Sequence, residues 1–78
     1  MNTNTATIEE LDTIPNFWDD ADKICLWLEK HPGKLHNTST IKRGAKVQGD
    51  AYQVLSYLVS AREIRVEGNG AWKKYAAR

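Results

Sequence analysis

Lys42, Arg43 and Lys46 stand within five residues of one another, and Arg65, Lys73 and Lys74 follow later in the same half of the chain. Clustered cations of this kind neutralise phosphates, and that neutralisation supplies most of the sequence-independent affinity for nucleic acid. Gln48 and Gln53 add primary amides, which pair bidentately with the edge of adenine, and Tyr52 adds a phenol able to donate to a phosphate or to stack. These nine residues are the candidate binding set. Other constellations resolve into structural roles. Cys25, His31 and His36 match no zinc spacing, so no metal or other cofactor is expected, and the histidines read as cap and surface residues. Asp19, Asp20 and Asp22 read as the acidic opening turns of a helix, where the positive end of the dipole favours them without a bound ion. Gly68-Asn69-Gly70 reads as a turn and not a phosphate loop, because no helix follows it. No serine, cysteine or carboxylate stands beside a base at an informative spacing, so the chain reads as a binding protein and not an enzyme.

The formal net charge of +1 conceals a sorted distribution. Residues 1–30 hold seven acids against Lys23 and Lys30, a balance of −5, whereas residues 31–78 hold nine bases against Asp50, Glu63 and Glu67, a balance of +6. Such asymmetry suits either a polyanionic partner for the basic half or a solvated surface whose acidic and basic ends neutralise each other. The 78 residues allow one domain. At this size only about 60% of the unfolded chain's surface is buried, which argues against a deep two-lobed cleft. Hydrophobic residues at 41% and charged residues at 27% suit a globular domain. No apolar run approaches the roughly 18 residues of a membrane span. The opening residues show neither a basic start nor an apolar block, and a single cysteine makes no internal disulfide, so a cytoplasmic setting without a membrane is expected.

Residues 1–15 read as a flexible acidic and polar tail with at most a short ordered patch at Ile8, Leu11 and Ile14, and residues 16–78 as the domain. Phe17, Ala21, Ile24, Cys25 and Leu28 follow one helical stripe, which His31-Pro32-Gly33 terminates. Asn16 or Asp19 is the expected cap. Residues 34–37 suffice only for a connector or a stub of strand. Thr38 or Ser39 caps a brief helix that Gly44 closes, and Asp50 caps a second strong helix on which Ala51, Val54, Leu55 and Leu58 recur. From Glu63 the period becomes two: Ile64 and Val66 alternate with charged residues, and Ala71–Ala76 forms the return strand of a hairpin. The expected core is the two helical stripes with Leu35, Ile41, Val47, Ile64, Val66 and either Trp72 or Tyr75. Trp18, Trp27 and Trp72 read as core filler or lids, with Trp72, beside two lysines, the best placed for another role.

That order of elements resembles a winged helix-turn-helix domain over residues 17–76. The likeness is carried by the apolar positions Ala51, Leu55 and Leu58 on the third helix and by Ile64 opening the wing; Arg62 stands where that family commonly has glycine. The resemblance implies a small α+β winged helix, three helices packed on a two-stranded C-terminal hairpin. It also implies a DNA-binding regulator or accessory factor that grips duplex DNA through the helix beginning at Asp50 and through the wing. In that reading Lys42, Arg43 and Lys46 meet the sugar-phosphate backbone, Gln48 and Gln53 face the base edges, Tyr52 donates to a phosphate or stacks, and Arg65, Lys73 and Lys74 belong to the wing. Adjacent strand residues face opposite ways, so one of Lys73 and Lys74 is expected to dominate. The helix after Asp50 carries no lysine or arginine before Arg62, which keeps a protein–protein interaction module as the alternative. A monomer or weak homodimer is expected.

Overall fold

Helical periodicity in the sequence becomes packed helices in the computed structural model, which describes residues 8–78, with side chains from Glu10 onward. Helix α1 spans Ile8–Asp12 and α2 spans Phe17–Lys30; strand β1 (His36–Asn37) leads into α3 (Thr38–Ala45) and then α4 (Ala51–Ser60). Strand β2 (Ile64–Glu67), a 3-10 turn (Gly70–Trp72) and strand β3 (Lys74–Ala77) complete the chain. The result is a small α+β fold. Among the described residues it has four α-helices and one antiparallel sheet of three strands ordered β1-β3-β2, where the sequence implies three helices and a two-stranded hairpin.

The extra strand is the stub at residues 36–37. His36 lies opposite Tyr75 and Asn37 opposite Lys74, so β1 takes the edge of β3 that β2 leaves free. Pairing buries His36, whose Nε2 lies 3.1 Å from the His31 carbonyl oxygen and whose ring meets Trp27 edge-on at 4.7 Å. His36 is therefore a core residue and not a surface one. His31 stacks on the other side of this cluster, its ring 4.3 Å from that of Trp27, with Nδ1 2.8 Å from the Trp27 carbonyl oxygen.

Phe17, Ala21, Ile24 and Leu28 of α2 and Ala51, Val54, Leu55 and Leu58 of α4 are buried, joined by Ile41, Val47 and Ile64. Cys25 and Val66 are only partly buried and pack against this cluster, and Leu35 is likewise half-buried. Of the two alternatives on the return strand, Tyr75 enters the core, while Trp72 is 82% exposed. Leu11, at 3% exposure, also belongs to the core, with Ile14 packed against it. The short ordered patch at Leu11 and Ile14 thus packs onto the domain; residues 1–7 lie outside the described part.

Several ends differ from the local reading for identifiable reasons. Asn16 sits at the start of α2 in a left-handed conformation (φ 64°) and makes no side-chain cap. Asn37, rather than Thr38 or Ser39, caps α3 by accepting the Thr40 amide at 2.8 Å. Helix α3 runs through Gly44 and closes at Lys46, whose φ of 58° supplies the left-handed exit. Gly44 is needed for a different reason: a Cβ there would collide with the Trp27 indole. Asp50 caps α4 as the sequence indicates, accepting the Tyr52 and Gln53 amides at 3.0 and 3.3 Å. The return strand starts at Lys74 and not Ala71, because the Trp72 and Lys73 amides donate to Asn69 and Gly70 and coil the chain into the 3-10 turn.

Candidate nucleic-acid interface

The turn from α3 to α4 is anchored from beneath. The Asp20 carboxylate, fully buried, accepts the Gln48 amide at 2.9 Å and the Gly49 amide at 2.8 Å. Both carboxylate oxygens are used, and charge-assisted bonds of this kind are stronger than neutral ones. Gly49 permits the approach, since a Cβ would stand 3.2 Å from Asp20 Oδ2. Asp20 is therefore not part of a solvated acidic turn. It fixes the backbone of residues 48–49 while the Gln48 side chain remains exposed.

Helix α4 commits one face to the core and leaves Tyr52, Gln53, Ser56 and Ser60 exposed, with Tyr52 at 69%. Between this outer face and the hairpin runs a groove of about 300 Å³, lined by Tyr52, Ser56, Val59 and Ser60 of α4 and by Val66, Gly70, Lys73 and Tyr75 of the hairpin. Strand register explains which basic residues reach it. Val66 and Tyr75 are partners and face inward, so Lys74, directly opposite Glu67, lies on the other face of the sheet. Arg65 lies on that outer face too, and its Nη1 donates to Glu67 Oε2 at 2.8 Å. Lys73 alone of the hairpin's basic residues lines the groove.

The structure thus divides the nine candidates. Tyr52 and Lys73 both line the groove, whereas Arg65, paired with Glu67, and Lys74, opposite Glu67 in register, lie on the other sheet face. Lys42 and Arg43 in the last turn of α3, Lys46 at its cap, Gln48 and Gln53 are all exposed, and none of them lines the groove. The basic residues do not form one uninterrupted line through the hairpin. Sequence reasoning missed Ser56 and Ser60 as groove hydroxyls; their i, i+4, i+8 spacing from Tyr52 was the available signal. It also missed the extent of Trp72 exposure at the hairpin tip. There Gly68 (φ 89°) holds a position that a side chain cannot take, because a Cβ would press within 2.6 Å of the Trp72 carbonyl oxygen.

Among the described residues no group of three or more His, Cys, Asp or Glu side chains is placed to hold a metal ion, and no helix is long and apolar enough to cross a membrane. No family model, no curated protein and no solved structure matches this chain.

Proposed function

We propose that this domain is a winged helix-turn-helix module that binds duplex DNA, with α4 as the recognition helix and the β2–β3 hairpin as the wing, serving as a transcriptional regulator or accessory factor. The observation that carries the reading is the groove between α4 and the hairpin. It presents the Tyr52 phenol, the Ser56 and Ser60 hydroxyls and the Lys73 ammonium at one opening. Hydroxyls and ammonium groups of this sort contact phosphate and sugar and set the register of a protein on a duplex. The β1–β3 pairing supports the same reading, because it ties the wing to the start of the helix-turn-helix pair. Lys42, Arg43 and Lys46 supply further backbone contacts, and Gln48 and Gln53 supply the groups for base edges. With no arginine or lysine on the outer face of α4, sequence preference is modest and affinity is set by the backbone.

Fluorescence anisotropy with a random duplex tests this. Four phosphate contacts, by Lys42, Arg43, Lys46 and Lys73, give a loss of affinity of about 10² between 50 and 200 mM salt. Lys42→Glu/Arg43→Glu abolishes binding, and Lys73→Glu weakens it strongly while Lys74→Glu has the smaller effect. Absence of binding at 50 mM salt transfers the domain to the second reading, a protein–protein interaction module. That reading is favoured by one observation, the neutralisation of Arg65 by Glu67 on the hairpin.

A further inference from the structure

A second groove lies on a different side of α4 and shares no lining residue with the first. It has a volume of about 310 Å³ and runs between α2 and the end of α4. Its walls are Trp18 and Tyr57, whose rings stand nearly perpendicular at 88° with centroids 5.3 Å apart. Phe17 meets both rings edge-on and is itself fully buried, which holds the walls in place. The Trp18 indole N–H donates to the Asp12 carboxylate, a contact that fixes the ring and increases the electron density of its face. Leu58 and the half-buried Cys25 contribute apolar surface. Asp22 and Glu63 stand at the rim, exposed, and neither carboxylate is paired with a cation among the described residues. Burial first, then Glu63, Glu29 and Asp22, push the Cys25 thiol pKa upward, so the negative field of the rim reaches the groove's interior.

Aromatic faces attract cations, and an open groove of mixed apolar and polar lining beneath a charged rim matches a side chain with a hydrocarbon stem and a cationic head. We propose that this groove is a docking site for a lysine or arginine side chain presented by a partner protein. The stem lies along Cys25 and the Tyr57 ring, above the buried Leu58, and the head sits against the aromatic walls between Asp22 and Glu63. Charge complementarity selects the occupant: the two carboxylates repel phosphate, so this face is closed to nucleic acid, and an apolar side chain would leave both carboxylates without a counter-charge. The inference goes beyond DNA binding and does not depend on it.

The test is titration of the full chain, followed by ¹H–¹⁵N correlation spectra that include the three indole N–H signals. The probes are the capped peptides acetyl-Gly-Lys-Gly-amide and acetyl-Gly-Arg-Gly-amide, with norleucine in place of lysine as the neutral control. The expected result is a saturable shift of the Trp18 indole and of residues 21–25 and 57–63. It is to be at least fivefold weaker for the norleucine peptide and at least fivefold weaker for lysine in Asp22→Asn/Glu63→Gln. Both substitutions are at exposed positions, and the same spectra report whether the variant is folded. Equal shifts with norleucine, or an unchanged affinity in the double variant, overturn the proposal. So does sedimentation equilibrium showing a dimer that the double variant abolishes, because the occupant would then be a second copy of this chain.

Discussion

The α3–α4 turn and the hairpin tip are both connections that flank the same helix, yet they are held in opposite ways. Beneath the turn lies a carboxylate with no solvent exposure and two backbone amides bound to it, joined across a gap of 28 residues in sequence. At the tip, residues 68–74 are all exposed, and the polypeptide is shaped by its own hydrogen bonds, Trp72 to Asn69 and Lys73 to Gly70. A buried ion–amide contact makes geometry a property of the whole fold, whereas a local turn leaves geometry adjustable. The domain therefore presents a rigid element, the start of α4, beside a compliant one, the hairpin tip. If the proposed DNA binding holds, with the hairpin as wing, that division gives fixed register at one contact and adaptation at the other.

The comparison is broken most directly at Asp20. Asp20→Ala leaves the Gln48 and Gly49 amides beside a void and removes two charge-assisted bonds, at a cost of about 2–4 kcal/mol. For a domain of this size each kcal/mol moves Tm by roughly 4–8 °C, so thermal unfolding followed by circular dichroism should show a drop of more than about 10 °C. A drop of only a few degrees would mean that the turn holds itself as the wing does.

Asp20 also marks the limit of what was legible in the sequence. Three aspartates in the first turns of a helix already have a sufficient local reason in the helix dipole, and nothing local distinguishes the one whose partners lie beyond α3. Helices α2 and α4, the Asp50 cap and the hairpin were legible, because periodicity and capping are written within a few residues of the structure they cause. Strand β1 was legible only as a connector or a stub: two residues carry no period, and it is the pairing of His36-Asn37 with the free edge of β3 that decides for the strand. Ile8, Leu11 and Ile14 mark a short ordered patch in the sequence, but three scattered apolar residues do not tell that Leu11 is buried to 3% exposure. At the candidate interface, the division of Lys73 from Lys74 followed from strand alternation alone. The sequestering of Arg65 by Glu67 required the rotamers of two flexible side chains, on which the sequence is silent.

On the rigid side, Gly44 sharpens the contrast. Gly44→Ala places a methyl group into the Trp27 indole, which His31 and His36 hold from two other directions. Overpacking of this kind costs about 1–3 kcal/mol. Guanidinium denaturation should report the loss as a lower midpoint with an unchanged slope. A neutral result would show that Trp27 can swing away, and that α3 is less firmly seated on α2 than its packing implies.

Where α4 gives way to the wing, the backbone pays a local penalty. Arg62 has φ 61°, with its amide bonded to the Val59 carbonyl at 3.0 Å and the Glu63 amide bonded to Leu58 at 2.9 Å. This is the paired closure of a helix end that glycine makes without strain. Arg62→Gly relieves the left-handed strain of about 1 kcal/mol but enlarges the unfolded ensemble, for a net gain of about 0.5 kcal/mol. The gain is expected as a Tm raised by a few degrees. A fall in stability would assign Arg62 a contact that outweighs its backbone strain.

Trp72 gives the smallest effect on folding and the sharpest separation of the two regions. An indole that is 82% exposed contributes almost nothing to the core, and exposed substitutions away from caps and strained positions stay within about 0.5 kcal/mol. Trp72→Ala should therefore leave Tm nearly unchanged. Exposure of so large an apolar surface at a turn tip is costly to solubility, and the fold does nothing to recover it. If the wing meets DNA, the indole has a partner there: stacking or apolar contact with the duplex is lost in Trp72→Ala, so affinity falls severalfold while its salt slope, set by the cations, is preserved. Measured together, an unchanged Tm and a weakened, equally salt-sensitive titration would place Trp72 in recognition alone. A Tm lowered by ten degrees would instead make the tip a structural element and remove the distinction between a fixed turn and a compliant wing.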